Sequence, residues 1–164
     1  MKQLFLTIAV SLLMAGTVHA HGNISKLPDS VQVLQYRMLL YMDPGDTATR
    51  NKLAMALFRT NKLDEAKAEL ATILKDKPSD FDAQDGMGIV LLKSGNYQEA
   101  LRHLEKARSL RENDMLVHVH LSVVYGKLGQ NDKAAAELAR ARQLATSTEM
   151  KQQIDRELKL IAGS

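Results

Sequence analysis

The chain has 164 residues, of which 45% are hydrophobic, 25% charged and 4% aromatic, with a formal net charge of +3. That length holds one compact unit or a short repeat array and leaves no room for a two-domain cofactor enzyme. The balance suits a packed helical protein and argues against disorder. No Cys is present, which excludes disulfide frameworks, Cys-based zinc sites, Cys-ligated iron–sulfur clusters and thiol nucleophiles.

Met1-Lys2-Gln3 is a short basic start, residues 4–15 are an apolar stretch, and Val18 and Ala20 place small residues three and one before a cleavage point. This is the pattern of a cleaved secretory signal over residues 1–20. The stretch falls short of the roughly 20 residues of a spanning helix, which leaves a retained anchor as the alternative. Loss of residues 1–20 removes Lys2 and no acid, leaving 21 basic and 19 acidic side chains. That balance provides no stripe for nucleic acid. Export implies a bacterial envelope location, most simply the periplasm, with no membrane span after cleavage. Residues 21–28 have no period and are expected to form a flexible leader.

Residues 29–46 follow, with Val33, Leu34, Tyr36, Met38, Leu39 and Leu40 in a helical pattern that ends before Asp43-Pro44. They predict a lone helix covering the exposed face of what comes next, with Asp29 or Ser30 as its N-cap after Pro28.

From residue 47 the chain repeats. Ala66, Ala100 and Ala134 recur at a spacing of 34, and residues 47–80, 81–114 and 115–148 align without a gap. Leu53, Met87 and Leu121 match, as do Leu57, Leu91 and Tyr125, and the small residues Ala54, Gly88 and Ser122. In the second halves Leu70, Leu104 and Leu138 match, after a turn position held by Asn61, Gly95 and Gly129. Each unit reads as a pair of helices whose apolar faces meet. The small residue of the first helix lets it approach the second at the repeated Ala, and the turn position requires a left-handed backbone that Gly adopts freely and Asn tolerates.

These units resemble the tetratricopeptide repeat (TPR) family, the second most closely, with G-M-G-I-V-L-L-K-S-G-N-Y-Q-E-A-L-R-H-L-E-K-A-R-S-L from Gly86 to Leu110. The family's frequent Trp in the first helix is replaced by Arg50, Gln84 and His118, and its closing Pro survives only as Pro78. The resemblance implies an all-α, right-handed helical-repeat solenoid of three units, flanked by an N-terminal half-repeat helix and a C-terminal capping helix. That last helix falls within residues 149–164, where Met150, Ile154, Leu158 and Ile161 recur among charged residues. Three units are about the minimum for a stable stack, because one alone cannot bury its apolar face.

The resemblance further implies that first helices line a concave groove. Its partner-binding residues would be Met55, Phe58, Arg59, Ile89, Leu92, Lys93, Val119, Val123 and Lys127, giving an apolar floor with Arg59, Lys93 and Lys127 along a basic edge. Such a groove suits an extended or helical peptide. The same residues can also fill space between helices or meet a capping helix, and cations near first-helix ends also answer the helix dipole. The carboxylate-gripping Lys, Asn and Arg set of chaperone-binding members is absent, since the matching positions hold Asn51, Met55, Gly86, Leu116 and His120.

No nucleophile elbow, phosphate-cradling Gly loop, His-Glu-x-x-His helix or paired-carboxylate cleft is present, so no catalytic residues and no cofactor are expected. Asp82 and Asp85 share a helix face and read as a solvated pair. Cleavage after Ala20 would expose His21 as an N-terminal imidazole and amine, a weak candidate for copper that needs a third ligand. His118 and His120 lie roughly 200° apart around a helix axis and do not chelate one ion together. The sequence thus reads as a non-catalytic periplasmic adaptor holding a protein or peptide partner, with self-association into a homo-oligomer and copper binding as alternatives.

Overall fold

The structure is a computed structural model that describes residues 24–162. The signal segment over residues 1–20 and His21 lie outside the described residues. Eight α-helices follow one another among those described: α1 (Asp29–Met42), α2 (Thr47–Arg59), α3 (Leu63–Asp76), α4 (Phe81–Lys93), α5 (Tyr97–Leu110), α6 (Met115–Lys127), α7 (Asn131–Leu144) and α8 (Thr148–Ala162). A short 3₁₀ turn, Ile24–Lys26, precedes them. The loose leader expected through residue 28 is tied down from Ile24 onward. The buried Gln32 donates from Nε2 to the Leu27 carbonyl at 2.7 Å and to that of Ser25 at 3.4 Å, while Ile24 packs on the core.

The helices α2 and α3, α4 and α5, and α6 and α7 form three pairs, each packed along its length. Every pair begins with the same device. Asp46, Asp80 and Asp114 each accept a backbone N–H of the first turn, from Thr49, Ala83 and Val117 respectively, and so satisfy donors that a helix start leaves orphaned. Within each pair the turn has a positive φ at Asn61 (61°), Gly95 (80°) and Gly129 (73°). There the chain closes the helix end with two reverse bonds, such as Gly95 N to Leu92 O and Asn96 N to Leu91 O.

The expected close approach within a pair is sharpest in the second. A Cβ on Gly88 would lie 2.5 Å from both Cγ and Cδ2 of Leu104 and 3.4 Å from the Ala100 carbonyl oxygen. Ala66, Ala100 and Leu104 are fully buried, so the small residues position helices rather than decorate them. The core runs continuously through the three pairs and takes in Val33, Tyr36 and Leu40 of α1. The N-cap of α1 differs from expectation. Pro28 occupies that position without a side-chain bond, and Asp29, in the first turn, instead accepts from Arg59 Nε at 2.7 Å.

Stacking is regular up to α7. The second helix of one pair packs on the first helix of the next, and the first helices of the outer pairs, α2 and α6, do not touch. The last helix leaves this path. Rather than packing on α7 as a further unit would, α8 lies mainly on α6, meets α7 only lightly, and reaches back to α4. As a result α7 buries only Ala141, whereas α3 and α5 each bury three residues. No helix among the described residues is long and apolar enough to cross a membrane.

Candidate functional site

The inner face of the first helices is filled. Phe58, Ile89, Leu92, Val119 and Val123, expected as an open groove floor, are buried, and Met55 is half-buried. Four of the five stand on α4 and α6, the two first helices on which α8 is seated. That helix buries Ile154 and Ile161 and partly buries Met150 and Leu158, and its turns between them carry charge. An amphipathic stripe at four- and three-residue spacing has therefore found the apolar inner face of its own chain.

The basic edge is likewise engaged. Arg59 turns to α1, where Asp29 and Gln32 Oε1 accept from its guanidinium, the latter at 3.0 Å. Lys93 Nζ lies 4.8 Å from the centroid of the Phe58 ring, where the face of the π-system attracts a cation. Lys127 is exposed and borders an apolar cleft of about 350 Å³ lined by Val123, Gly126, Ala134, Ala135, Leu138 and Leu158. A continuous basic rim is thus replaced by three separate cations, two of which have closer partners inside the chain.

A buried charge cluster holds the filled face together. His120 on α6 places Nδ1 2.6 Å from Oδ1 of Asp85 on α4 and Nε2 3.2 Å from Oε1 of Glu157 on α8. Burial works against the charged imidazole, but the charge and hydrogen bond of Asp85, joined by Glu157, outweigh it and raise the His120 pKa to about 10. The ring is therefore an imidazolium near neutrality, donating to a carboxylate on each side. Asp85 is accordingly not half of a solvated pair. Its neighbour Asp82 faces elsewhere, 3.6 Å from the Arg111 guanidinium.

His118 is spent in a second cluster, with Nδ1 2.5 Å from Glu137 Oε2 and Nε2 2.8 Å from the Glu112 carbonyl oxygen, while Arg108 donates to the other Glu137 oxygen. His103 Nδ1 meets Gln84 Oε1 at 2.7 Å, and burial lowers its pKa. Among the described residues no group of three or more His, Asp or Glu side chains is placed to hold a metal ion. Of the carboxylate-gripping positions, Asn51 donates from Nδ2 to Asp80 at 3.3 Å and His120 is held as above.

Periodicity did not disclose the Asp85, His120 and Glu157 cluster. The available signal was a His at an inward position of an otherwise apolar helix, since a buried ionisable group requires partners. What placed Glu157 beside it was the departure of α8 from the stacking path, which no repeat alignment contains.

Fold and inner face together define a helical-repeat solenoid whose concave side receives a helix. Residues 51–113 match the tetratricopeptide repeat family model, which supports membership of that repeat family. Residues 89–162 match the model described as regulator of microtubule dynamics protein 1-3. No curated protein matches the chain. Among solved structures, a thermophilic TPR protein of Thermus thermophilus, TTC0263, is 19% identical with a TM-score of 0.69, over 96% of this chain and 81% of that one. MamA of AMB-1 is 22% identical with a TM-score of 0.57, over 73% of this chain and 67% of that one. A double mutant of MamA from RS-1 is 21% identical with a TM-score of 0.63, over 95% and 82%. At identities of this size the structural likeness is one of fold alone, a helical-repeat solenoid.

Proposed function

We propose that the chain is a non-catalytic adaptor that acts in the bacterial envelope and takes an amphipathic helix of a partner protein on the inner face of α4 and α6. The observation that carries this reading is the seat of α8. The chain's own helix supports a pattern for such a partner, namely apolar side chains at the spacing of Ile154, Leu158 and Ile161 with an acid at the position of Glu157. Helix-in-groove recognition reads ligands by such anchors, and His120 supplies a buried cation to select the acid. A partner helix with this pattern competes with α8 for the face. The location rests on the signal-like pattern of residues 1–20.

The test uses a fluorescently labelled peptide of residues 148–162 and the full chain carrying Ile154→Asp and Ile161→Asp, which dislodge α8. The peptide is expected to bind the double variant and not the unaltered chain, by anisotropy. Failure to bind a variant whose circular dichroism shows intact repeats removes the inner face as a helix receptor. Envelope fractionation with N-terminal sequencing checks the location, with a mature chain starting at His21 as the expected result.

A further inference from the structure

Among the described residues the largest exposed apolar surface is on α1, away from the inner face. Val31, Leu34, Met38, Tyr41 and Met42 are 38%, 65%, 50%, 85% and 64% exposed. They occupy the side of α1 opposite Val33, Tyr36 and Leu40, which it buries against the repeats. Stacking does not account for them. At the same register one repeat later, α3 exposes Glu65, Ala68, Thr72, Lys75 and Asp76, and two repeats later α5 exposes Glu99, Arg102, Lys106, Ser109 and Leu110, the last 36% exposed. The outer face is thus mainly polar in these repeats, where Ala68 and Leu110 are isolated, and continuously apolar on the half-repeat.

The pattern on α1 specifies a helix as occupant. Positions 31, 34, 38 and 41 follow a three-four-three spacing, the seam by which one helix packs lengthwise on another. The seam carries no charge, and both flanking charges are already neutralised within the chain. Asp29 is paired with Arg59, and Arg37 with Glu65. A twofold contact brings each residue against the same surface, so it requires a face complementary to itself. An uncharged apolar seam meets that requirement, and nothing on it would steer or select a charged partner. No α-helix precedes α1 among the described residues, which leaves uncovered the side by which α3 and α5 meet the first helix of their own pair. Leu39, in register with the buried Ile73, is 44% exposed for the same reason.

We propose that α1 is a dimerisation helix, which pairs antiparallel with α1 of a second copy of this chain about a twofold axis between Leu34 and Met38. Leu34 of each copy then meets Met38 of the other, and Val31 meets Tyr41 and Met42. Two such seams make a small interface, so the dimer is reversible and concentration-dependent. The proposal does not rest on the inner-face reading, because variants of α1 leave α8 untouched.

Sedimentation velocity of the purified chain over a wide concentration range tests it, alongside Leu34→Lys and Met38→Glu. Both positions are exposed, so each variant should melt like the unaltered chain by circular dichroism. The expected result is a mass approaching two chains for the unaltered protein and a twofold lower mass for each variant alone. Mixing the two variants should recover the dimer, because the antiparallel pairing sets the introduced lysine of one copy against the introduced glutamate of the other. A chain that stays monomeric at every concentration overturns the proposal. So do variants that remain dimeric, which would place the contact elsewhere, and a mixture that stays monomeric, which would rule out the antiparallel pairing.

Discussion

Nε2 of His120 lies 3.2 Å from Oε1 of Glu157, and this contact joins the last of the described helices to the first helix of the third pair. The other ring nitrogen holds Asp85 at 2.6 Å, so one imidazolium binds α8, α6 and α4 together. His120 is 2% exposed. A buried charge of this kind adds little net stability compared with a packed apolar residue, but removing one partner is costly, about 3–5 kcal/mol, because the other is left uncompensated. The cluster ties α8 to α6 and α4 through polar contacts that the apolar stripe alone does not supply.

The first prediction concerns alkaline pH. The folded pKa of His120, about 10, lies above the ordinary value of 6.5, so its contribution to stability is fully present below about pH 6.5 and lost as the pH rises through about 10. Thermal melts from neutral to alkaline pH should show a fall in midpoint over that window, and His120→Gln should flatten it. Burial first, then the bond Tyr125 donates to Glu105 at 2.9 Å, raises the Tyr125 pKa to about 12, so it titrates beyond the window. An equal fall in the variant would assign the effect to other groups.

A second prediction contrasts two glycines of first helices. Gly88→Ala forces a methyl to within 2.5 Å of Leu104, in a core with no room to give, and should cost about 1–3 kcal/mol by overpacking. Ala100→Leu, across the same approach, should cost a similar amount. Gly126→Ala meets nothing nearer than the Ala134 methyl at 4.0 Å and should stabilise by roughly 0.5–1 kcal/mol, as Ala gains over Gly inside a helix. Denaturant midpoints decide, and opposite signs at the two positions are required.

The repeat period made the helix pairs, their turns and their close approaches legible, because each of these is a local rule repeated every 34 residues. Asn61, Gly95 and Gly129 have the positive φ that the turn position demands, and Gly88 is small because Leu104 lies against it. The inner face reads in the sequence either as a groove floor or as a surface met by a capping helix, for the opposite reason. Ile89, Leu92, Val119 and Val123 are apolar because something covers them, and a sequence pattern does not say whether the cover is a partner or the chain itself. The course of α8 was hidden in the same way. Its amphipathic stripe fits the end of the stack and the concave side equally well, and only the inward His120 favours the latter.

A third prediction follows from that course. Ile154 is 2% exposed, and Ile154→Ala should cost about 2–5 kcal/mol of the docking of α8. Because α8 touches α6, α4 and lightly α7 but neither α2 nor α3, the loss should be local. Hydrogen exchange should speed up in residues 148–162 and leave the amides of α2 and α3 unchanged. A uniform rise across all helices would mean that α8 is integral to the cooperative unit.

The last prediction is on the acid side and at the other end of the stack. Asp46 accepts from the Thr49 hydroxyl at 2.6 Å and from the Thr49 backbone N–H at 3.1 Å, and these bonds, the hydroxyl first, hold its pKa below the ordinary 3.8. A lowered carboxylate pKa contributes stability that is present above the unfolded value and lost as the pH falls through the folded one. Thr49→Val removes the hydroxyl donor and keeps the backbone bond, so it should move the acid-unfolding midpoint to higher pH. Asp46→Ala removes both and should cost about 0.5–2 kcal/mol at neutral pH, the usual worth of an N-cap. Asp80→Ala removes a cap bond of 2.9 Å to Ala83 N and also the bond that Asn51 Nδ2 donates at 3.3 Å, so it should cost at least as much at neutral pH.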